Sequence, residues 1–183
     1  MADVPAYSAV LRFWFEELSP AQWWKVDPEL DRLIAERFSN VHVRAIRSEL
    51  FEWRKEPDGR LAEIIVLDQF SRNMHRGQGL AFANDTLALA LAQEAVTAKA
   101  DLALPVDQRV FLYIPYMHSE SRVIHEVAEP LFRERAPKDN YDFELRHKAI
   151  VDRFGRYPHR NEMLGRESTP EELVFLTQPG SRF

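Results

Sequence analysis

Cysteine is absent from this sequence of 183 residues. Its absence excludes disulfide bonds, thiolate nucleophiles, cysteine-ligated zinc and iron–sulfur clusters. Long apolar runs are missing as well, since no stretch approaches the roughly 20 residues that a membrane-spanning helix needs. The chain also has an acid, Asp3, close to its start, and its first apolar stretch is broken by Arg12. We therefore expect no membrane span and no export signal, and predict a soluble cytoplasmic protein.

Basic residues are also fewer than acidic residues in this sequence. The net charge of −5 argues against nucleic-acid binding, which depends on the neutralisation of phosphates. Residues 146–166 are an exception, because they hold six basic residues and two acids: Arg146, Lys148, Arg153, Arg156, Arg160 and Arg166 against Asp152 and Glu162. A local basic cluster on an acidic protein indicates one small anionic ligand rather than a long polyanion.

The sequence does contain a succession of helix signals. Asp27-Pro28-Glu29 is typical of a helix start, and Thr169-Pro170-Glu171-Glu172 is a capping box. The apolar runs at residues 63–67 and 110–114 could be buried strands, but they lack strand-like turns on both sides, so helix is favoured. The prediction is an all-α fold in a single domain spanning residues 1–183.

The same kind of local signal predicts the start, the inward face or the end of three helices. Asp58-Gly59 is expected to break the chain before a helix over about residues 60–73. Ser119 is expected to cap a helix whose inward residues are Val123, Ile124, Val127 and Leu131. A helix over residues 141–154 is expected to end at Gly155.

A first group of candidate site residues lies in the segment Asp68-Gln69-Phe70-Ser71-Arg72-Asn73. Asp68 falls on the apolar face of its helix, where a carboxylate must be paired, and Arg72 is one turn further on. Gln69 and Asn73 share the adjacent stripe. Either Asp68 and Arg72 form a buried clamp, or the segment presents a carboxylate and an amide to a ligand.

His118-Ser119-Glu120 is a second group, at a helix start that follows Pro115. Either Ser119 and Glu120 are ordinary capping residues, or His118 and Glu120 form an acid–base pair. His147 lies on an apolar helix face, which is more typical of a core histidine than of a ligand. His42, His75 and His125 give weaker signals still. No His-x-x-x-His pattern occurs, and we expect no metal site.

The densest group is Arg153-Phe154-Gly155-Arg156-Tyr157-Pro158-His159-Arg160-Asn161, with Arg166 shortly after it. Guanidinium groups present planar forks that suit carboxylate or phosphate, and a histidine beside them titrates near neutrality. The alternative is a solvated basic loop whose arginines pair with Asp68, Glu120 or Asp152.

These segments, together with Val10–Phe15 and the run from Leu164 to Thr169, resemble a bacterial family known as domain of unknown function 924. Tyr157 stands where the family commonly has Phe, and Ser71 where Pro is common. The resemblance implies an all-helical fold similar to the tetratricopeptide-repeat-like superhelix, without a repeat consensus, and implies no activity. The family's motif positions fall on Asp68, Gln69, Arg72, Asn73, His118, Glu120, His147, Arg153, Arg156, His159, Arg160, Asn161 and Arg166.

The hypothesis that follows is a pocket where the loop 155–166 meets residues 68–73 and the bend at His118. It would bind a small phosphate- or carboxylate-bearing molecule, with a cofactor left open. Candidate catalytic residues are His118, His159 and Glu120. Candidate ligand-binding residues are Asp68, Gln69, Arg72, Asn73, His147, Arg153, Arg156, Arg160, Asn161 and Arg166. The alternative is a helical groove for a peptide or protein partner, with the polar motifs as internal structural contacts. Formation of a homo-oligomer is left open.

Overall fold

A computed structural model describes residues 6–182 of the chain. Asp3, on which the expectation about an export signal partly depends, lies outside the described residues. Within residues 6–182 the secondary structure is helical and contains no strand, which confirms the all-α prediction. None of the helices in this range is long and apolar enough to cross a membrane.

The fold consists of α-helices joined by short 3₁₀ and π turns. The α-helices are α1 (Tyr7–Arg12), α2 (Pro28–Ile46), α3 (Pro57–Ile65), α4 (Ser71–Met74), α5 (Asp85–Thr97), α6 (Val106–Met117), α7 (Arg122–Arg135), α8 (Lys138–Phe154) and α9 (Pro170–Phe175). A π turn, Val66–Phe70, joins α3 to α4, and a 3₁₀ turn, Pro158–Arg160, follows α8. These two turns carry four of the candidate site residues, namely Asp68, Gln69, His159 and Arg160.

Local signals account for several helix ends. Asp27 Oδ1 accepts hydrogen bonds from the amides of Glu29 and Leu30, at 3.0 and 3.3 Å, and so caps α2. The predicted capping box of α9 is present, with Thr169 and Glu172 each accepting from the other's amide. Gly155 ends α8 with a φ of 70°, a left-handed conformation that glycine adopts without strain.

The predicted break at Asp58-Gly59 is wrong. Helix α3 begins at Pro57 and runs through both residues, because a proline in the first turn lacks only an amide that would be unpaired there anyway. Gly59 is needed for close packing rather than for a turn. A Cβ at this position would lie 2.0 Å from the carbonyl oxygen of Trp53.

The predicted inward face of α7 is also partly wrong. Val123 and Val127 are 65% and 51% exposed, whereas Leu131 is buried as expected. The buried stripe of α7 instead includes His125 and Ala128. A histidine can occupy it because both of its ring nitrogens form hydrogen bonds inside the protein.

The core brings the candidate segments together. Helix α3 packs against α1, α5 and α6, while α6, α7 and α8 pack in succession. This packing brings four segments to one place. They are the π turn after α3, the start of α5, the end of α6 and the 3₁₀ turn after α8. Successive packing of helices is compatible with a tetratricopeptide-repeat-like arrangement, which stays a prediction, as does the single-domain organisation.

Candidate functional site

A cavity of about 260 Å³ opens where these elements meet. Its lining residues are Phe82, Asp85, Thr86, Leu89, Pro115, His118, Ser119, Glu120, Arg160 and Leu164. The cavity therefore lies between the segment after α8 and the bend after α6, where the sequence hypothesis placed a pocket. The segment 68–73 lies behind the wall rather than in it.

His118 is held in the cavity wall by Asp68. The imidazole Nδ1 is 2.8 Å from Asp68 Oδ1, and Gln69 Nε2 donates to Asp68 Oδ2 at 2.7 Å. Burial by itself would raise the pKa of Asp68, but the charge of Arg72 and the bond from His118 lower that pKa below its ordinary value. Asp68 is therefore an ionised carboxylate that accepts from the Nδ1–H of His118.

The other ring nitrogen of His118 is available for chemistry. Burial and the nearby charge of Arg72 lower the pKa of His118 below its ordinary value of 6.5, so the ring is neutral at pH 7. With the proton on Nδ1, Nε2 carries a lone pair, and it makes no hydrogen bond to any residue in the described part of the chain. A neutral imidazole oriented by a carboxylate in this way can act as a general base.

Arg72 connects Asp68 to Asp85 at the start of α5. Its guanidinium donates to Asp68 Oδ1 at 3.2 Å, and to the two oxygens of Asp85 at 2.9 and 3.0 Å. The predicted Asp68–Arg72 pair is thus present, as part of a longer chain of charges. Asp85 gave no site signal in the sequence, since an acid at a helix start is commonplace.

Arg160 is a buried cation whose hydrogen bonding is incomplete. The residue is 5% exposed, and its guanidinium carbon lies 4.5 Å from the ring centre of Phe82 and 4.7 Å from that of Tyr157. Its side chain makes one hydrogen bond to the described residues, from Nη1 to Asp85 Oδ2 at 3.2 Å, while Nε is buried without a partner there. Buried donors are nearly always satisfied, so this guanidinium is suited to receive a further acceptor.

Glu120 lines the cavity, but its oxygens are already occupied. Oε1 accepts from the amide of Tyr157 at 2.7 Å, and Arg166 donates to both oxygens at 2.7 and 2.9 Å. Although burial acts in the opposite direction, these contacts lower the pKa of Glu120 below its ordinary value. The carboxylate beside His118 is Asp68, and not Glu120 as the sequence hypothesis had it.

Three other polar residues of the long motif hold the C-terminal segment and do not line the cavity. Arg156 donates to the two oxygens of Glu172 at 2.6 and 2.7 Å, and Asn161 Nδ2 donates to the same carboxylate at 3.3 Å. Arg153 pairs with Glu171 on the surface, at 2.7 Å. Their partners come from α9, rather than from Asp68, Glu120 or Asp152 as the loop alternative predicted. Of the pairs in that alternative, the one with Glu120 is present, and it is made by Arg166.

The remaining candidates also lie outside the cavity lining. His147 is buried, its Nδ1 donates to the carbonyl of Phe143 at 2.8 Å, and burial lowers its pKa to about 3. Burial likewise lowers the pKa of His159 to about 4. Asn73 donates to Asp31 at 2.8 Å, on the side of α4 that faces α2. His147 is therefore a core histidine, the alternative that its apolar helix face favoured.

A fully buried pair, His125 and Glu144, supports the backbone at the bend that carries His118. Both side chains are 0% exposed, and His125 Nδ1 is 2.7 Å from Glu144 Oε1. His125 Nε2 donates to the carbonyl of Ser119 at 2.8 Å, and the hydroxyl of Tyr157 donates to the carbonyl of Met117 at 2.6 Å. The two carbonyls flank His118, so these bonds fix its backbone. The sequence around His125 gives no signal of this role, because the partner of His125 is on another helix.

Within residues 6–182, no group of three or more His, Asp or Glu side chains is arranged to hold a metal ion. Glu144 and His147 do have the Glu-x-x-His spacing that metal sites in helical bundles use. However, the carboxylate of Glu144 pairs with His125, and Nδ1 of His147 donates to a backbone carbonyl.

We expect acid to destabilise the protein well above the pH at which carboxylates titrate. His147 and His159 have pKa values of about 3 and about 4 in the folded protein, against an ordinary value of 6.5. The unfolded chain therefore takes up protons first as the pH falls below 6.5. Each histidine then removes about 1.4 kcal/mol per pH unit from the free energy of unfolding.

Urea denaturation at pH 7, 6 and 5 measures this dependence of the free energy of unfolding on pH. His118, whose pKa is also lowered, contributes to the dependence with the same sign. Carboxylates of the unfolded chain begin to titrate only lower, near their ordinary pKa values of about 4. The variant His147→Gln should show a shallower slope between pH 6.5 and 5. An unchanged slope would show that His147 does not stay neutral in the folded protein.

Comparison with known proteins gives a family and no activity. Residues 10–180 match the model of a family described as bacterial protein of unknown function, DUF924. The solved structure of a protein of unknown function from Agrobacterium tumefaciens is similar, with a TM-score of 0.88 and 36% sequence identity over 93% of this chain and 96% of that one. No curated protein matches the chain. The resemblance seen in the motifs is confirmed, and the chain belongs to the bacterial DUF924 family.

Proposed function

We propose that the cavity binds a small molecule through a carboxylate or phosphate group at Arg160, and that His118 exchanges a proton with the bound molecule. The observation that carries this proposal is the state of Arg160, which is 5% exposed, stacked between two rings and hydrogen-bonded at one nitrogen only. A guanidinium kept in that state without a ligand lowers stability, as functional groups often do.

The contacts of Asp68 and His118 indicate the role that we propose for each of them. Asp68 holds the proton of His118 on Nδ1 and orients the ring, as the carboxylate does in other acid–base dyads. Nε2 is the atom at which His118 exchanges a proton with the bound molecule, as a base while the ring is neutral and as an acid once the ring is protonated. The rings and aliphatic chains of Phe82, Leu89 and Leu164 form the apolar part of the wall.

In this proposal the ligand-binding set is smaller than the one the sequence indicated. Arg153, Arg156 and Asn161 are engaged with carboxylates of α9, and Arg166 is engaged with Glu120. Arg156, Asn161 and Arg166 shape the loop that presents Arg160, so they contribute to the site indirectly. Arg153 is paired with Glu171 on the surface and has no part in the site. A cytoplasmic location belongs to the same proposal, and fractionation of cells that express the tagged protein would test it.

A thermal-shift screen with small carboxylates and phosphates tests the proposal. A ligand at about a hundredfold excess over its Kd stabilises the native protein by roughly 2.7 kcal/mol, which is a readily measured shift. The variant Arg160→Met should lose the shift. The matched control Arg153→Met, which removes an exposed arginine outside the cavity, should keep it.

The screen also has an outcome that would overturn the proposal. If no small anion stabilises the wild-type protein, or if Arg160→Met responds as the wild type does, the cavity is not an anion site. The groove for a peptide or protein partner would then be the hypothesis to pursue.

A further inference from the structure

We infer that the ligand is a monocarboxylate with a compact apolar body rather than a phosphate ester, and that its binding adds one proton to His118. This inference rests on the proposed function and narrows it. Three features of the cavity support this inference together. They are the balance of charge around it, the one guanidinium in its wall with incomplete hydrogen bonding, and its apolar surface.

The charges of the protein groups around the cavity already balance. Three carboxylates, those of Asp68, Asp85 and Glu120, are paired with three guanidiniums, those of Arg72, Arg160 and Arg166. With His118 neutral, the net charge of this group is zero. A ligand's negative charge is therefore added to a neutral site, and each further unit of charge is harder to accommodate in a partly buried place.

The donors that remain are also few. Arg72 donates to Asp68 and to both oxygens of Asp85, while Arg166 donates to both oxygens of Glu120. Arg160 makes one side-chain hydrogen bond to the described residues, and it is the guanidinium of these three that lines the cavity. One guanidinium matches one carboxylate. A phosphate monoester carries about −1.5 to −2 at pH 7, and the single guanidinium of this wall would leave part of that charge without a counter-charge.

The rest of the wall favours an apolar body of limited size. Phe82, Leu89, Pro115 and Leu164 present hydrocarbon surface beside Arg160. The cavity's volume, about 260 Å³, lies just below the roughly 300–1,000 Å³ of pockets that hold drug-sized ligands. A chain or ring of a few carbons attached to the carboxylate fits this space.

The linked proton follows from what faces His118. The charged or titratable groups around its ring, from every element packed there, are Asp68, Arg72, Asp85, Glu120, His147, His159 and Arg160. Burial of the ring and the charge of Arg72 keep the ring neutral in the free protein. A carboxylate on Arg160 adds a negative charge near Nε2, which favours the imidazolium. Uptake of one proton then restores the neutrality of the site.

Isothermal titration calorimetry of the full chain with hexanoate, hexanol and hexyl phosphate tests the inference. We expect hexanoate to bind at least about tenfold more tightly than either of the others. Repeating the hexanoate titration at pH 7 in buffers of different ionisation enthalpy should show uptake of close to one proton. Arg160→Met should weaken hexanoate binding by about tenfold or more, whereas Arg153→Met should leave it unchanged.

A second variant separates the two parts of the inference. His118→Gln keeps the guanidinium and should still bind hexanoate, but without proton uptake. If hexyl phosphate binds as tightly as hexanoate and depends on Arg160, the monocarboxylate assignment is overturned while the proposed anion site stands. If hexanoate binds without proton uptake, the linkage to His118 is overturned. If neither anion binds, the proposed function itself is overturned.

Discussion

Replacing His125 with leucine should lower the free energy of unfolding by roughly 3–5 kcal/mol, which is the usual cost of removing one partner of a buried pair. His125 and Glu144 are both 0% exposed, and Glu144 Oε2 already has no hydrogen-bond partner within the described residues. The substitution would leave the other oxygen unpaired as well and would strip the carbonyl of Ser119 of its donor. Urea denaturation measures the loss.

A double-mutant cycle provides the control. The variant that carries both His125→Leu and Glu144→Leu should be more stable than the sum of the single effects predicts, because two apolar side chains of suitable size replace a buried polar pair. A loss below about 1 kcal/mol for His125→Leu would show that the pair is not a structural support of the bend.

Arg156→Met and Arg160→Met should differ by about 3 kcal/mol in their effect on stability, although both remove a motif arginine. Removing Arg156 leaves the carboxylate of Glu172, a residue 2% exposed, without its counter-charge. That loss should be about 3 kcal/mol, at the lower end of the range for broken buried pairs, since Glu172 keeps its bonds from Thr169 and Asn161.

Removing Arg160 should instead change stability by no more than about 1 kcal/mol, and in either direction. Asp85 keeps both of its bonds to Arg72, and the methionine replaces a desolvated cation between two rings. Urea midpoints of the two variants, measured side by side, decide the matter. Losses of several kcal/mol at both positions would make Arg160 a structural residue and would remove the basis of the ligand proposal.

Local sequence signals were enough to predict several of the helix ends. The cap at Asp27, the capping box at Thr169 and the stop at Gly155 each act within a few residues, so the sequence contains all the information that they need. The inward face of α7 was missed for the opposite reason. His125 is buried because Glu144, 19 residues later and on another helix, offers it a hydrogen bond.

The site was only partly predictable for the same physical reason. The sequence indicated which segments contribute, and the structure does place His118, Glu120 and Arg160 in one cavity wall. It could not indicate which arginine of the loop faces the cavity. That depends on the 3₁₀ turn at Pro158–Arg160 and on the carboxylates of α9, which pair with Arg153 and Arg156 and leave Arg160.

The protonation of His118 is the most direct test of a site built on Asp68, His118 and Arg160. Nuclear magnetic resonance of the ¹⁵N-labelled imidazole should show, at pH 7 in the free protein, a proton on Nδ1 and none on Nε2. Addition of hexanoate should move the Nε2 resonance toward that of the imidazolium, and Arg160→Met should abolish the change. A free protein with the proton on Nε2, or an Nε2 resonance that does not respond to saturating hexanoate, would contradict the proposed site.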